Sequence, residues 1–169
     1  MVLTREELIA ALHHEVRILV HLTGKVDPAQ LDYRPTLKQR STLELLQYLA
    51  IMGPTQIPII REGAFTRAGM SAAWTPAEAR AKEMDFDQTT AAIQALSGQY
   101  TQLLSDWTED ELRSKMELFG RQASRGSLLV TLILNAHAAY RTQLFCYLKA
   151  CGRDELNTMN LWGGVDAAS

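Results

Sequence analysis

The stretch Ser127–Gly152, SLLVTLILNAHAAYRTQLFCYLKACG, decides how this chain is read. Turned as an α-helix at about 100° per residue, it gathers Leu129, Leu132, Ile133, Ala136, Tyr140, Leu144, Tyr147 and Cys151 on one side. So wide an apolar stripe belongs to a helix packed against several neighbours. Gly126 and Ser127 supply its start and Gly152 its stop. Lys149 and Arg153 stand near its negative end, where cations are favoured. On or beside the stripe lie His137, Tyr140 and Gln143, polar groups that core packing does not require. The reading is an all-helical domain with this segment at its centre and any chemistry close to those three residues.

Length and composition agree with one soluble domain spanning residues 1–169. A chain of 169 residues can bury a real core. Its 47% hydrophobic and 21% charged content is that of an ordinary globular protein. A net charge of −2 leaves no basic excess for a phosphate backbone, so no nucleic-acid partner is expected. No apolar run approaches the roughly 20 residues that span a bilayer, so no membrane is expected either. Met1 is followed by Thr4-Arg5-Glu6-Glu7 with no signal-peptide core. Cys146 and Cys151, five apart on a helix, point to different sides and suit a reducing compartment. The expected location is the cytoplasm.

Outward from the central stretch, the first helix is expected from about Thr4 to Thr23. Thr4 and Glu7 form a capping box, and Leu8, Leu12, Val16, Leu19 and Val20 keep helical spacing. His14 and His21 fall on its solvent side and His13 at the edge. Gly24–Arg40 reads as a loop, broken by Pro28 and Pro35, with one short turn at Asp27–Gln30. Ser41 and Glu44 open the second helix, with Leu45, Leu46, Tyr48, Leu49 and Met52 inward; Pro54 and Pro58 are expected to kink or end it. Gly63–Trp74 reads as a loop, and Thr75-Pro76-Ala77-Glu78 as the cap of a short extra helix to about Lys82. The third long helix runs from Asp85 or Asp87 to Asp106. Leu112–Phe119 is ambiguous between a helical turn and a strand. The tail from residue 155 to 169 is expected to lie over the bundle. Four long helices with a long first connection make a four-helix bundle of non-trivial helix order. The apolar residues of Pro54–Trp74, among them Ile57, Ile59, Ile60, Phe65 and Met70, pack on the bundle or on a partner.

Three places resemble the DinB/YfiT-like superfamily of bacterial four-helix bundles. Leu31-Asp32-Tyr33-Arg34-Pro35 resembles its loop before helix two. Ser41–Leu49 resembles its Ser-x-x-Glu-Leu-x-x-His-Leu helix start. Ala136–Gln143, with Leu148 and Gly152, resembles its His-x-x-x-His-Arg-x-Gln-Leu segment. The resemblance implies a divalent metal held by one histidine on helix two and two on the last long helix, four residues apart and therefore one turn above each other. Here those positions are Tyr48, Ala136 and Tyr140, so all three imidazoles are missing. No metal cofactor is therefore expected, with divalent zinc or nickel as the alternative.

Two readings follow for each site residue. His137 is either a displaced ligand or acid–base group, or a polar residue at the bundle edge. Tyr48 and Tyr140 either fill the space of the ion, or join His137 and Gln143 around a small organic ligand. Arg141 is expected to face a neighbouring element or a second subunit. The function expected is that of a metal-free ligand-binding protein or a dimeric interaction protein, with homodimerisation implied by the resemblance. The alternative is a metal-dependent transferase or isomerase acting on low-molecular-weight thiols such as bacillithiol or mycothiol, in which the ion activates the thiolate.

Overall fold

The computed structural model describes residues 3–118 and 120–167. Its first helix, α1 (Arg5–Thr23), opens on the expected capping box. Thr4 Oγ1 accepts from the Glu7 N–H and the Glu7 carboxylate accepts from the Thr4 N–H. Its buried face carries Leu8, Leu12, Val16, Leu19 and Leu22. The chain then crosses a long connection with one 3-10 turn, Pro28–Gln30, capped by Asp27. That is the turn the sequence places there.

Helix α2 (Thr42–Glu62) starts on the Ser41/Glu44 capping box and runs through both Pro54 and Pro58. The expected break does not occur. An interior proline costs about 3 kcal/mol. Around and beyond Pro58, Ile57, Ile59 and Ile60 are buried, each contributing about 1.5–3 kcal/mol. The far end is also fixed by Arg125, whose Nε donates to the Ile60 and Arg61 carbonyls, and by Gly63 at φ 73°. Tertiary packing outweighs local propensity here. Ile57 and Ile60 belong to the bundle's own core, and Phe65 packs against it.

The largest correction comes next. Gly63–Trp74 is not a loop ahead of a short helix capped by Thr75. A single helix α3 (Arg67–Lys82) starts at Thr66, whose hydroxyl accepts from the Gly69 N–H, and holds Pro76 in its interior. The Thr75 hydroxyl bonds back to Ser71 at 3.3 Å instead of capping. Alanines at 68, 72, 73, 77, 79 and 81 make this stretch a good helix former despite the proline. Ala77 and Ala81 bury against the bundle.

Helix α4 (Phe86–Leu104) begins at Asp85. A short helix α5 (Glu109–Arg113) uses the Thr108/Glu111 capping box. The ambiguous segment after it is the first strand of a small antiparallel hairpin, β1 (Lys115–Leu118) and β2 (Arg121–Ser124), with Lys115 opposite Ser124. Phe119 lies outside the described residues, as do Ala168 and Ser169 of the tail. The central stretch is helical throughout, but in three parts: α6 (Arg125–Leu129), a π-helical turn Val130–Leu134, and α7 (Asn135–Ala150). Gly152 ends it at φ 89°. Lys149 reaches past the helix end to the Asp154 and Leu156 carbonyls.

Helix α1 packs on α4 and α7, and α2 packs on α4, α7 and α3. Around the bundle the order is therefore α1, α4, α2, α7. Arg5 at the start of α1 meets Ser105 and Trp107 just past the end of α4, so those two helices run in opposite directions. Arg61 near the end of α2 pairs with Asp106, so α2 and α4 run the same way. The Tyr147 hydroxyl near the end of α7 reaches Arg40 before α2, so α7 runs opposite to α2. Two consecutive parallel bundle helices need a return element, and α3 is that element. The tail lies over the bundle as expected: Leu156 and Asn160 are buried, and Gly164 sits against Ile18.

The α2–α4 contact depends on one glycine. A Cβ built on Gly53 would stand 2.0 Å from the Tyr100 hydroxyl and 2.5 Å from its ring. Helix propensity favours alanine at such a site by at most about 1 kcal/mol. Gly53→Ala is nonetheless expected to destabilise by about 1–3 kcal/mol, through overpacking. Chemical denaturation checks this; a stabilised variant would contradict the packing described.

Candidate functional site

Tyr48 lies on α2, about two turns after its capped start, and Tyr140 lies on α7 across from it. Their rings meet edge to face with centroids 5.0 Å apart. The indole of Trp74 on α3 stacks on Tyr48 at 5.7 Å, nearly parallel at 11°. The Arg40 guanidinium carbon sits 4.1 Å from the centre of the same ring. Three rings and one cation are thus collected from α2, α3, α7 and the residue just ahead of α2's cap. Such contacts are individually worth about 0.5–1.5 kcal/mol beyond the area they bury.

Burial pushes the Tyr48 hydroxyl up to about 12. The neighbouring Tyr140 phenol and the Glu78 carboxylate push the same way, while Arg40 opposes them. Tyr48 is therefore a neutral phenol at pH 7. It forms part of the wall of a cleft of about 600 Å³ between the first connection, α2 and α3. Arg34, Lys38 and Arg40 of the connection, Glu44, Gln47 and Ile51 of α2, and Glu78 and Lys82 of α3 line it.

Gln143 is one step removed. Its Nε2 donates to the Tyr147 hydroxyl at 2.6 Å, and that hydroxyl donates to the Arg40 carbonyl at 3.0 Å. Gln143 thereby fixes the residue that lies over Tyr48 and does not itself line the cleft.

His137 does not join this group, and it is not at the bundle edge. It is fully buried, and its Nε2 shares a 2.5 Å hydrogen bond with the Tyr100 hydroxyl of α4. Burial holds its pKa down at about 4, and the Arg141 guanidinium adds to that. Burial likewise raises the Tyr100 phenol. His137 Nδ1 has no hydrogen-bond partner. The π turn explains the placement. It bonds i to i+5 and so holds one more residue than an α turn. After it the inward positions are His137 and Arg141, one residue on from the Ala136 and Tyr140 of a straight α-helix. The sequence reading assumed uniform winding and put His137 on the rim.

Arg141 is the other consequence of that shift. It forms a buried ion pair with Glu15 of α1, and its Nη1 donates to the Leu161 carbonyl of the tail. Trp162 lies over the guanidinium at 5.3 Å. Its partner is a neighbouring element of the same chain. Of the other histidines, His13 bonds the Ser97 carbonyl and the Thr101 hydroxyl, while His14 is exposed beside Arg17. His21 is not on open solvent: its Nε2 meets the tail's Asn160 at 3.0 Å. Cys146 is exposed and Cys151 half-buried, both free thiols. Burial raises the Cys151 thiol.

The residues at the positions that the resemblance gives to a metal do not fit one. A protonated Tyr48 phenol is a poor donor, and Ala136 offers none. Among the described residues no three of His, Cys, Asp and Glu converge where an ion could be held. Trp74, Arg40, Tyr100 and Glu15 are the participants that sequence reasoning missed. The alanine-rich run through α3 was the signal for Trp74.

No family model and no curated protein matches the sequence. Among solved structures, a DinB-like protein (YjoA) of Bacillus subtilis is similar, with a TM-score of 0.67 at 17% sequence identity. The match covers 89% of this chain and 94% of that one. This chain has the DinB-like four-helix-bundle fold.

Proposed function

We propose that this chain is a small-molecule-binding protein of DinB-like fold that works without a bound metal. The observation that supports this reading is that Tyr48, packed between Trp74 and Tyr140 behind it, lines a cleft of about 600 Å³. Ligand pockets commonly measure about 300–1,000 Å³ and use aromatic walls with a few fixed polar groups. Here the polar groups are Arg40, Glu78 and Gln47. Gln47 is held by its bond to the Met84 carbonyl at 2.8 Å. Ring-containing fragments are expected to shift the indole N–H resonance of Trp74, assigned with Trp74→Phe, and the shift should vanish in Tyr48→Leu. A fragment library that leaves this resonance unmoved would sink the reading.

The metal- and thiol-dependent transferase is the second reading. It is favoured by one fact: the two helix positions that would carry ligands, Tyr48 and Tyr140, do meet across the bundle. Against it stands the donor set. A free thiol near pKa 8.5 is mostly protonated at neutral pH and needs an activating charge. Thiol-transfer assays with added zinc or nickel are expected to show no metal-stimulated turnover. The homodimer and the cytoplasmic location belong to the first, metal-free reading. No helix among the described residues is long and apolar enough to cross a membrane. Sedimentation at micromolar concentration checks the dimer.

A further inference from the structure

We propose that the ligand of this cleft is a small organic anion, a carboxylate or phosphate ester carried on a flat ring. This rests on reading the cleft as a ligand site. The observation behind it is Arg40. Its guanidinium lies over the Tyr48 ring, and among the described residues no carboxylate pairs with it. Lys38 and Lys82, which also line the cleft, are likewise without a carboxylate partner.

The acids of the cleft do not cancel this charge. Glu44 is engaged twice, pairing with Arg34 at 3.4 Å and accepting from the Ser41 N–H at 2.7 Å. Lys38, Arg40 and Lys82 then face only Asp32 and Glu78. An arginine on an aromatic face with no acid partner keeps its planar fork of N–H donors for the two oxygens of a carboxylate or phosphate. Its backbone is held by the Gln143–Tyr147–Arg40 chain of hydrogen bonds. That fixes where the side chain starts, and the Tyr48 ring is what places the guanidinium. Tyr48, Leu37, Leu43 and Ile51 give the cleft the apolar surface that suits a ring beside the anionic group. Gln143 acts as a positioning residue for Arg40.

Calorimetric titration of the full chain with phenyl phosphate, benzoate and neutral benzyl alcohol, at low salt, tests this. Expected is binding of at least one of the two anions, with the tighter identifying phosphate or carboxylate as the preferred group. Benzyl alcohol should bind about tenfold more weakly or not at all. Arg40→Gln should weaken the anion about tenfold and leave benzyl alcohol unchanged. Gln143→Ala should cost less, and Gln143→Glu should not rescue it, because a carboxylate cannot donate to the Tyr147 hydroxyl and competes with the Arg40 carbonyl for its proton. Equal binding of neutral and anionic probes, indifferent to Arg40→Gln, overturns the anion assignment and leaves the cleft reading standing. Anion binding that survives both Arg40→Gln and Tyr48→Leu overturns it too, by placing the site elsewhere. No heat from any probe, together with an unmoved Trp74 resonance, overturns the cleft reading itself.

Discussion

Arg141→Leu is expected to lower the stability of this chain by about 3–5 kcal/mol, the cost of leaving one charge of a buried pair without its partner. The side chains of Arg141 and Glu15 are only 3% and 11% exposed. The Glu15 carboxylate lies too deep to recover much hydration once the guanidinium is gone. The Leu161 carbonyl loses its donor as well, and Trp162 its cation. The tail should therefore loosen with the core, visible as faster amide exchange around Asn160. The double variant Glu15→Leu with Arg141→Leu should recover most of the loss, because a well-packed apolar pair is often no worse than a buried ion pair. Urea denaturation measures both. A single-variant loss below about 1 kcal/mol would mean that the pair behaves like an exposed surface bridge.

The second large effect is a loss of stability in acid that belongs to His137. In the fold its pKa is held down at about 4, while in the unfolded chain it lies near 6.5. Above about pH 6.5 the ring is neutral in both states and contributes no pH dependence. As pH falls from 6.5 to 4 the unfolded chain takes up a proton that the folded chain refuses. Stability is therefore full above the unfolded value and falls through this window, by roughly 3 kcal/mol at completion. The groups that face the ring are consistent with this direction. The Tyr100 hydroxyl is its neighbour on α4 and the Arg141 guanidinium adds positive charge, while no carboxylate bonds to it. Denaturation midpoints measured across the window should slope steeply in the native chain and flatten in His137→Gln. Equal slopes in both proteins would mean that the ring ionises freely in the fold.

Much of the bundle is legible in the sequence, because its long helices announce themselves by caps. Thr4 with Glu7, Ser41 with Glu44, Asp85 and Thr108 with Glu111 all act where they stand in the sequence. The same rule failed at Thr75-Pro76-Ala77-Glu78. A capping pattern inside an alanine-rich helix is indistinguishable, by residue type, from one at its start. Pro54, Pro58 and Pro76 misled for the complementary reason. Their local cost is real, but buried isoleucines and Arg125 on one helix, and alanines on another, outweigh it.

The site was half legible. Tyr48 and Tyr140 were identified by their positions and do meet. Gln143 was identified too, but it acts through Tyr147 and Arg40. His137 was misplaced because nothing in VTLIL declares a π turn. The turn moves the inward face by one residue, which buries a histidine and an arginine where an alanine and a tyrosine were expected. Trp74 was unreachable once its helix had been read as a loop.

The claim on which the functional reading depends is that a neutral Tyr48 phenol, Ala136 and Tyr140 occupy the positions where this fold, by resemblance, carries imidazoles. Elemental analysis of the full chain, purified without a histidine tag and without chelator, tests it most directly. The prediction is zinc, nickel and iron each far below one per chain, unchanged by dialysis against any of the three. A near-stoichiometric metal that is lost when Tyr48 and Tyr140 are both replaced by phenylalanine would contradict it.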